Sequence, residues 1–256
     1  MIDTIHTQAT SLAFPEPLLA STDAYVTTIC YIGSKSLSHV LSCIERCKTR
    51  LLDIGATSET ARRQIITSVM NYWVDQPGIG VNIVDKLLNY TILTPIAVIQ
   101  WALGEDEKAG DKLAASYIYE MVASTVHKVT KRVRQIVLDA AAPGLAPEAK
   151  EAMNETLQQE RQNMKEMFTV MEDLLNAWAS GSKDEAMEAG LGETEDEALI
   201  RQWGERWLRV FRRKMAVEDA FVTEVQNRPV VEPEVVEAAE NGNTEMPDAE
   251  PAAEEV

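Results

Sequence analysis

Apolar residues recur every three or four positions along most of this chain, and no stretch alternates with the period of two that a half-buried strand needs. The pattern predicts a series of amphipathic helices. A short first helix is expected over Thr22–Ile32, stopped at Gly33, with Ser34 or Ser36 capping the next through an orphan first-turn N–H. That next helix carries Leu37, Val40, Leu41, Ile44 and Leu51 on one face and is expected to close at Gly55. Thr57 or Ser58 starts a helix with the stripe Ile66, Val69, Met70 and Trp73, ended by Asp75-Gln76-Pro77-Gly78.

Val81, Val84, Leu87 and Leu88 mark the next helix. Thr94-Pro95 then places a capping side chain before a proline at the first helical position. The helix it opens has Ile96, Val98, Ile99, Trp101 and Leu103 around nearly its whole circumference, which puts it inside the domain. One long helix is expected from about Asp111 to Ala141, burying Leu113, Tyr117, Met121, Thr125, Val129, Val133 and Ile136. Pro143, Gly144 and Pro147 break it, and another runs over about Glu148–Ser180 with Met164, Met167, Phe168, Met171, Leu175 and Trp178 in line. Thr194 and Glu197 have capping-box spacing. They launch a last helix with Ile200, Trp203, Trp207, Val210, Phe211, Val217, Phe221 and Val225.

Short breaks between such helices imply antiparallel hairpins stacked as an all-α solenoid, of the general kind seen in ARM and HEAT repeats. No crisp internal period selects a repeat type. The expected organisation is an extended leader at 1–21, a helical-repeat domain at 22–227 with a break near 141–147 and a loop at 181–193, and a disordered acidic tail at 228–256.

Composition changes this picture mainly through charge. The formal net charge is −17, yet Pro229 to Val256 holds nine acidic residues and no Lys or Arg. Taking those nine from 41 leaves 32 acidic against 24 basic residues, a net −8 for the body. A mildly acidic body opposes sequence-independent binding to nucleic acid, which requires clustered cations. Cys30, Cys43 and Cys47 offer no disulfide framework and fit a reducing compartment. No apolar run is long enough for a membrane span, and no secretory signal pattern opens the sequence.

Candidate chemistry is sparse. Gly33-Ser34-Lys35-Ser36 lacks the upstream glycine of a phosphate loop, and a helix stop followed by a cap explains the same residues. His39, Cys43 and Cys47 share a helix at spacings of four, but a closed zinc site needs four ligands. No catalytic set, metal site or cofactor is expected. Two basic stripes remain: Lys128, Lys131 and Arg132 on the long helix, and Arg206, Arg209 and Arg213 on the last helix, on the face opposite its tryptophans. Each reads either as a solvated face or as a docking patch for an acidic partner, an RNA backbone or the chain's own acidic tail.

Five segments in register carry a resemblance: Tyr31-Ile32-Gly33-Ser34-Lys35-Ser36-Leu37-Ser38-His39; Asn71-Tyr72-Trp73 with Pro77 after it; Ile83-Val84-Asp85-Lys86-Leu87-Leu88; Ala97-Val98-Ile99-Gln100-Trp101-Ala102-Leu103; and Tyr119-Glu120-Met121. From about Thr22 to Ile136, and more loosely from Gln159 to Val225, the chain resembles the C-terminal third of the large subunits of nuclear cap-binding complexes.

The resemblance implies a helical-repeat domain similar to the middle domain of translation initiation factor 4G, acting as a scaffold without chemistry. It implies a small partner with an RNA-recognition fold that grips capped RNA, so that this chain meets the cap indirectly. It also implies contacts with splicing, RNA-processing, export and nonsense-mediated decay factors, and a nuclear location with shuttling to the cytoplasm.

Two departures qualify it. About one of the three domains implied for the large subunit is covered, as expected of a truncated or split gene or a shortened paralogue. The long charged hairpin that the family often carries is reduced to a short break over 140–160. The competing expectation is another helical-repeat interaction module, in translation or RNA decay.

Overall fold

The computed structural model describes residues 2–12, 16–104, 109–142, 144–180 and 194–227. Within them lie ten helices and no strand. They are α1 (Ile2–Ser11), α2 (Pro17–Gly33), α3 (Leu37–Thr57), α4 (Glu59–Tyr72), α5 (Pro77–Asn89), α6 (Pro95–Leu103), α7 (Ala109–Leu113), α8 (Ser116–Ala140), α9 (Pro147–Ser180) and α10 (Glu195–Gln226). The fold is an all-α helical-repeat solenoid, as the periodicity predicts. The expected loop at 181–193 and the expected tail at 228–256 lie outside the described residues.

Local chemistry fixes most helix starts. Ser36 Oγ accepts the His39 N–H, Ser58 Oγ accepts that of Ala61, and Thr94 Oγ1 accepts that of Ala97. Thr194 and Glu197 close a reciprocal capping box. Each such cap contributes about 1 kcal/mol. Pro17, Pro77 and Pro95 open α2, α5 and α6, where a missing N–H costs nothing.

Three expectations are corrected. The leader is not extended over 1–21: α1 occupies Ile2–Ser11 and α2 begins at Pro17. Ala9 is buried and Asp3 pairs with Arg50 of α3, contacts that a sparse apolar pattern does not announce. Of the two capping candidates, Ser36 is the N-cap of α3. Gly55 does not end α3, which runs on to Thr57; a Cβ there would sit 2.6 Å from the Ile92 carbonyl oxygen. Glycine is required at that point for close approach of the α5–α6 connection. Lastly, the long helix expected from Asp111 is broken into α7 and α8, because Ala115 is extended (φ −84°, ψ 119°). The break turns both Leu113 and Ile118 into the core, although their five-residue spacing would put them on different faces of one helix.

Neighbouring helices pack as hairpins, so next-nearest helices run the same way. Asp23 accepts from Ser68 at 2.6 Å, and Trp73 meets Cys30, aligning α2 with α4. Tyr119 packs on Trp207 and Arg134 pairs with Glu218, aligning α8 with α10. Between them α9 runs oppositely, since Glu172 meets Arg212 while Arg161 meets Gln226.

Two cores result. One joins α2 through α5 and takes in Val98 of α6 and Met121 of α8, and the other joins α6 through α10. Trp101 of α6 touches both. Its indole N–H donates to Thr67 Oγ1 at 2.9 Å, and Lys112 sits over its ring while donating to its carbonyl oxygen. Ala97, Val98, Ile99, Ala102 and Leu103 are all fully enclosed, as an apolar circumference demands.

Candidate docking groove

The α7–α8 break has a second consequence. Three small residues in succession, Ala114, Ala115 and Ser116, leave space against the N-terminal half of α10. The result is a groove of about 390 Å³. Leu113 and Trp207 form its floor, and both are buried. Tyr119 forms one wall, edge-on to Trp207 at 5.1 Å between ring centroids. Trp203, Arg206 and Val210 form the opposite rim. Val210 is 47% exposed, and Tyr119 is exposed as well. The lining is therefore mostly apolar, with a guanidinium at its edge. A site of that kind takes an apolar side chain or two from a peptide and favours carboxylates beside them.

The structure divides the two basic stripes differently from the sequence reading. On α8, Lys128 pairs with Asp85 at 2.9 Å and donates to Asn89, both on α5. Arg132 pairs with Glu160 of α9 at 2.7 Å. These two cations tie helices together, while Lys131 stays exposed. On α10, Arg209 reaches Glu205 at 3.8 Å, and Arg213 is exposed. Arg206 does not lie opposite the tryptophans. Its guanidinium sits 5.2 Å above the Trp203 ring, a cation–π contact at the groove edge. Of the six candidate residues, only Arg206 lines the groove.

The helical period assigns Trp203, Trp207 and Val210 to the apolar stripe of α10, and Tyr119 belongs to no predicted stripe. A signal was present in α10. Its apolar positions are too many for one buried face, and they separate into two rows. Trp207, Leu208, Phe211, Val222 and Val225 are buried, whereas Val210 and Val217 are about half exposed. The second row was the part of the pattern that packing did not need.

The other candidates resolve locally. Gly33 ends α2 at a point where a Cβ would lie 2.4 Å from Val40 Cα, and Ser36 caps α3, so Gly33-Ser34-Lys35-Ser36 is a helix stop followed by a helix start. The His39 ring nitrogen Nδ1 is engaged by Ser36 Oγ at 2.8 Å. Among the described residues, no group of three or more His, Cys, Asp or Glu side chains is gathered as metal ligands would be.

A stacked-hairpin frame with an apolar groove and a guanidinium at its edge defines a helical-repeat class of protein. The comparisons agree: the family pattern described as MIF4G like matches residues 1–220, and the chain belongs to that family. It is also similar to nuclear cap-binding protein subunit 1 of Schizosaccharomyces pombe, with 28% identity over 120 residues. Similarity extends to the proteins of the same name from Anopheles gambiae, 31% identical over 114 residues, and Aedes aegypti, 30% identical over 114. Those alignments cover 44–47% of this chain but only 14–15% of the relatives. The chain thus matches a small part of much longer proteins.

Proposed function

We propose that this chain is a scaffold domain of a nuclear cap-binding complex and performs no catalysis of its own. It supports capped-RNA binding through a small subunit with an RNA-recognition fold. The observation that carries this reading is the similarity to nuclear cap-binding protein subunit 1 from a fission yeast and two mosquitoes. The fold is consistent with it, because stacked hairpins present long outer faces to other proteins. The reading places the protein in the nucleus, with exchange to the cytoplasm, and offers its outer surface to RNA-processing, splicing, export and decay factors. Among the described residues no helix is long and apolar enough to cross a membrane.

Exposed arginines on α10 are the proposed contact surface, since Arg209 and Arg213 keep most of their charge available to a partner. The test is co-purification of this chain with the small subunit, alone and with the rest of the large subunit supplied in trans. Retention of the small subunit is expected, and Arg206→Glu, Arg209→Glu and Arg213→Glu together should abolish it. Failure to retain the small subunit in either arrangement overturns the reading. Retention unaffected by the triple change returns those arginines to an ordinary solvated face.

A further inference from the structure

We infer that the groove between α7–α8 and α10 is a receptor for a segment of this same chain, residues 230–237. This inference goes beyond the scaffold reading and does not depend on it; where both hold, the segment and the small subunit compete for the same arginines.

The groove calls for apolar side chains flanked by negative charge. Its floor is Leu113 and Trp207, its half-exposed rim residue is Val210, and its lining cation is Arg206, with Arg213 exposed two turns further along the same side of α10. After α10 the sequence reads Pro229-Val230-Val231-Glu232-Pro233-Glu234-Val235-Val236-Glu237. Two valine pairs alternate with acidic residues, and no Lys or Arg follows Arg228. Apolar content and charge sign both complement the groove. Pro229 and Pro233 oppose continuation of α10 as a helix.

Chain length sets the register. Val210 lies 17 residues (227 less 210) before Asn227, or about 25 Å back along α10 at ~1.5 Å per residue. An extended chain returning from Asn227 covers that distance in about eight residues at ~3.3 Å each, arriving at Val235. By the same arithmetic, about six residues bring Glu232–Glu234 level with Arg213, and about nine or ten bring Glu237 level with Arg206. Valines therefore arrive at the apolar groove while carboxylates arrive at the arginines. A one-way return along α10 meets both requirements at once. The tether also gives this segment an effective concentration on the order of millimolar, which a free acidic peptide must exceed to displace it.

The experiment uses the full chain with the photo-reactive residue p-benzoylphenylalanine in place of Val210, and in a second variant in place of Ser116. Both side chains are exposed, so neither replacement empties the core. Each variant is irradiated in dilute solution, and the adduct is mapped by mass spectrometry. The expected product has monomer mass and joins the probe to residues between Val230 and Glu237. Combining the Val210 probe with Val235→Asp and Val236→Asp should reduce that adduct at least tenfold. An adduct at twice the chain mass, an attachment outside 230–237, or no adduct from either probe overturns the inference. So does an adduct yield unchanged by the two aspartates.

Discussion

Arg134 of α8 grips Glu218 of α10 with two hydrogen bonds, Nε to Oε2 at 2.5 Å and Nη2 to Oε1 at 3.1 Å. Glu218 is only 1% exposed, and Lys214 supplies a third contact at 2.6 Å. The Arg134 guanidinium also covers the Phe221 ring at 4.4 Å. Burial pushes the Glu218 carboxyl pKa up, but the hydrogen bonds and charges of Arg134 and Lys214 outweigh it and leave the value below the ordinary 4.5. Both cations are about a third exposed and can turn to water if the carboxylate is lost. Glu218→Gln should therefore cost about 1–3 kcal/mol at neutral pH, below the range for a fully enclosed pair. A depressed carboxyl stabilises the fold above its unfolded pKa and loses that contribution as pH falls through its folded value. The stability gap between wild type and Glu218→Gln should be constant from pH 6 to 8 and shrink below about pH 4.5, as measured by urea unfolding across pH.

The three thiols should react in order of access. Burial pushes the Cys30 thiol up to about 11, only partly offset by its contact with Trp73. Cys43 is buried too, while Cys47 is half-buried. Cys47 touches the Tyr25 hydroxyl, whose pKa burial and then that contact raise to about 12. Thiolate is the reactive form, so a chromogenic disulfide reagent at pH 8 should modify Cys47 first and Cys30 last. In denaturant all three should react at similar rates.

Thr91 links α5 to α6 with φ +58°, a left-handed conformation that a β-branched residue adopts at a cost. Its backbone N–H still donates to the Leu88 carbonyl oxygen at 3.0 Å, which holds the turn in place. Asparagine tolerates that conformation better. Thr91→Asn should raise stability by about 1 kcal/mol, read as a higher midpoint in urea with an unchanged slope.

Groove residues should separate stability from docking. Trp207 packs against Tyr119 and Phe211 and is 3% exposed, so Trp207→Ala should cost about 3–5 kcal/mol. Val210→Asp changes an exposed rim position and should alter stability by less than about 0.5 kcal/mol. It should nonetheless disrupt whatever seats in the groove, because it sets a carboxylate against an acidic occupant. Thermal melts measure the first pair of effects, and binding or cross-linking measures the last.

Much of this fold was legible from periodicity because the cues are local. Thr94-Pro95, Ser58 and the Thr194–Glu197 box act within one turn of their own helix, and each starts a helix where the sequence places it. What stayed hidden depends on distant partners. Gly55 reads as a stop until Ile92 is seen against it, and the α7–α8 break is invisible because alanines fit a helix well. The groove inherits that blindness: it exists where Ala114, Ala115 and Ser116 face Trp207 across about ninety residues of sequence. Arg206 was found by charge, but its seat on Trp203 required the rotation of α10 to be known.

The measurement closest to the central claim is titration calorimetry of this chain with the small subunit of a nuclear cap-binding complex, bearing its RNA-recognition fold. A scaffold domain of that complex predicts saturable one-to-one association, lost when Arg206, Arg209 and Arg213 are reversed to glutamate. An absence of association, both alone and with the rest of the large subunit added in trans, would contradict it.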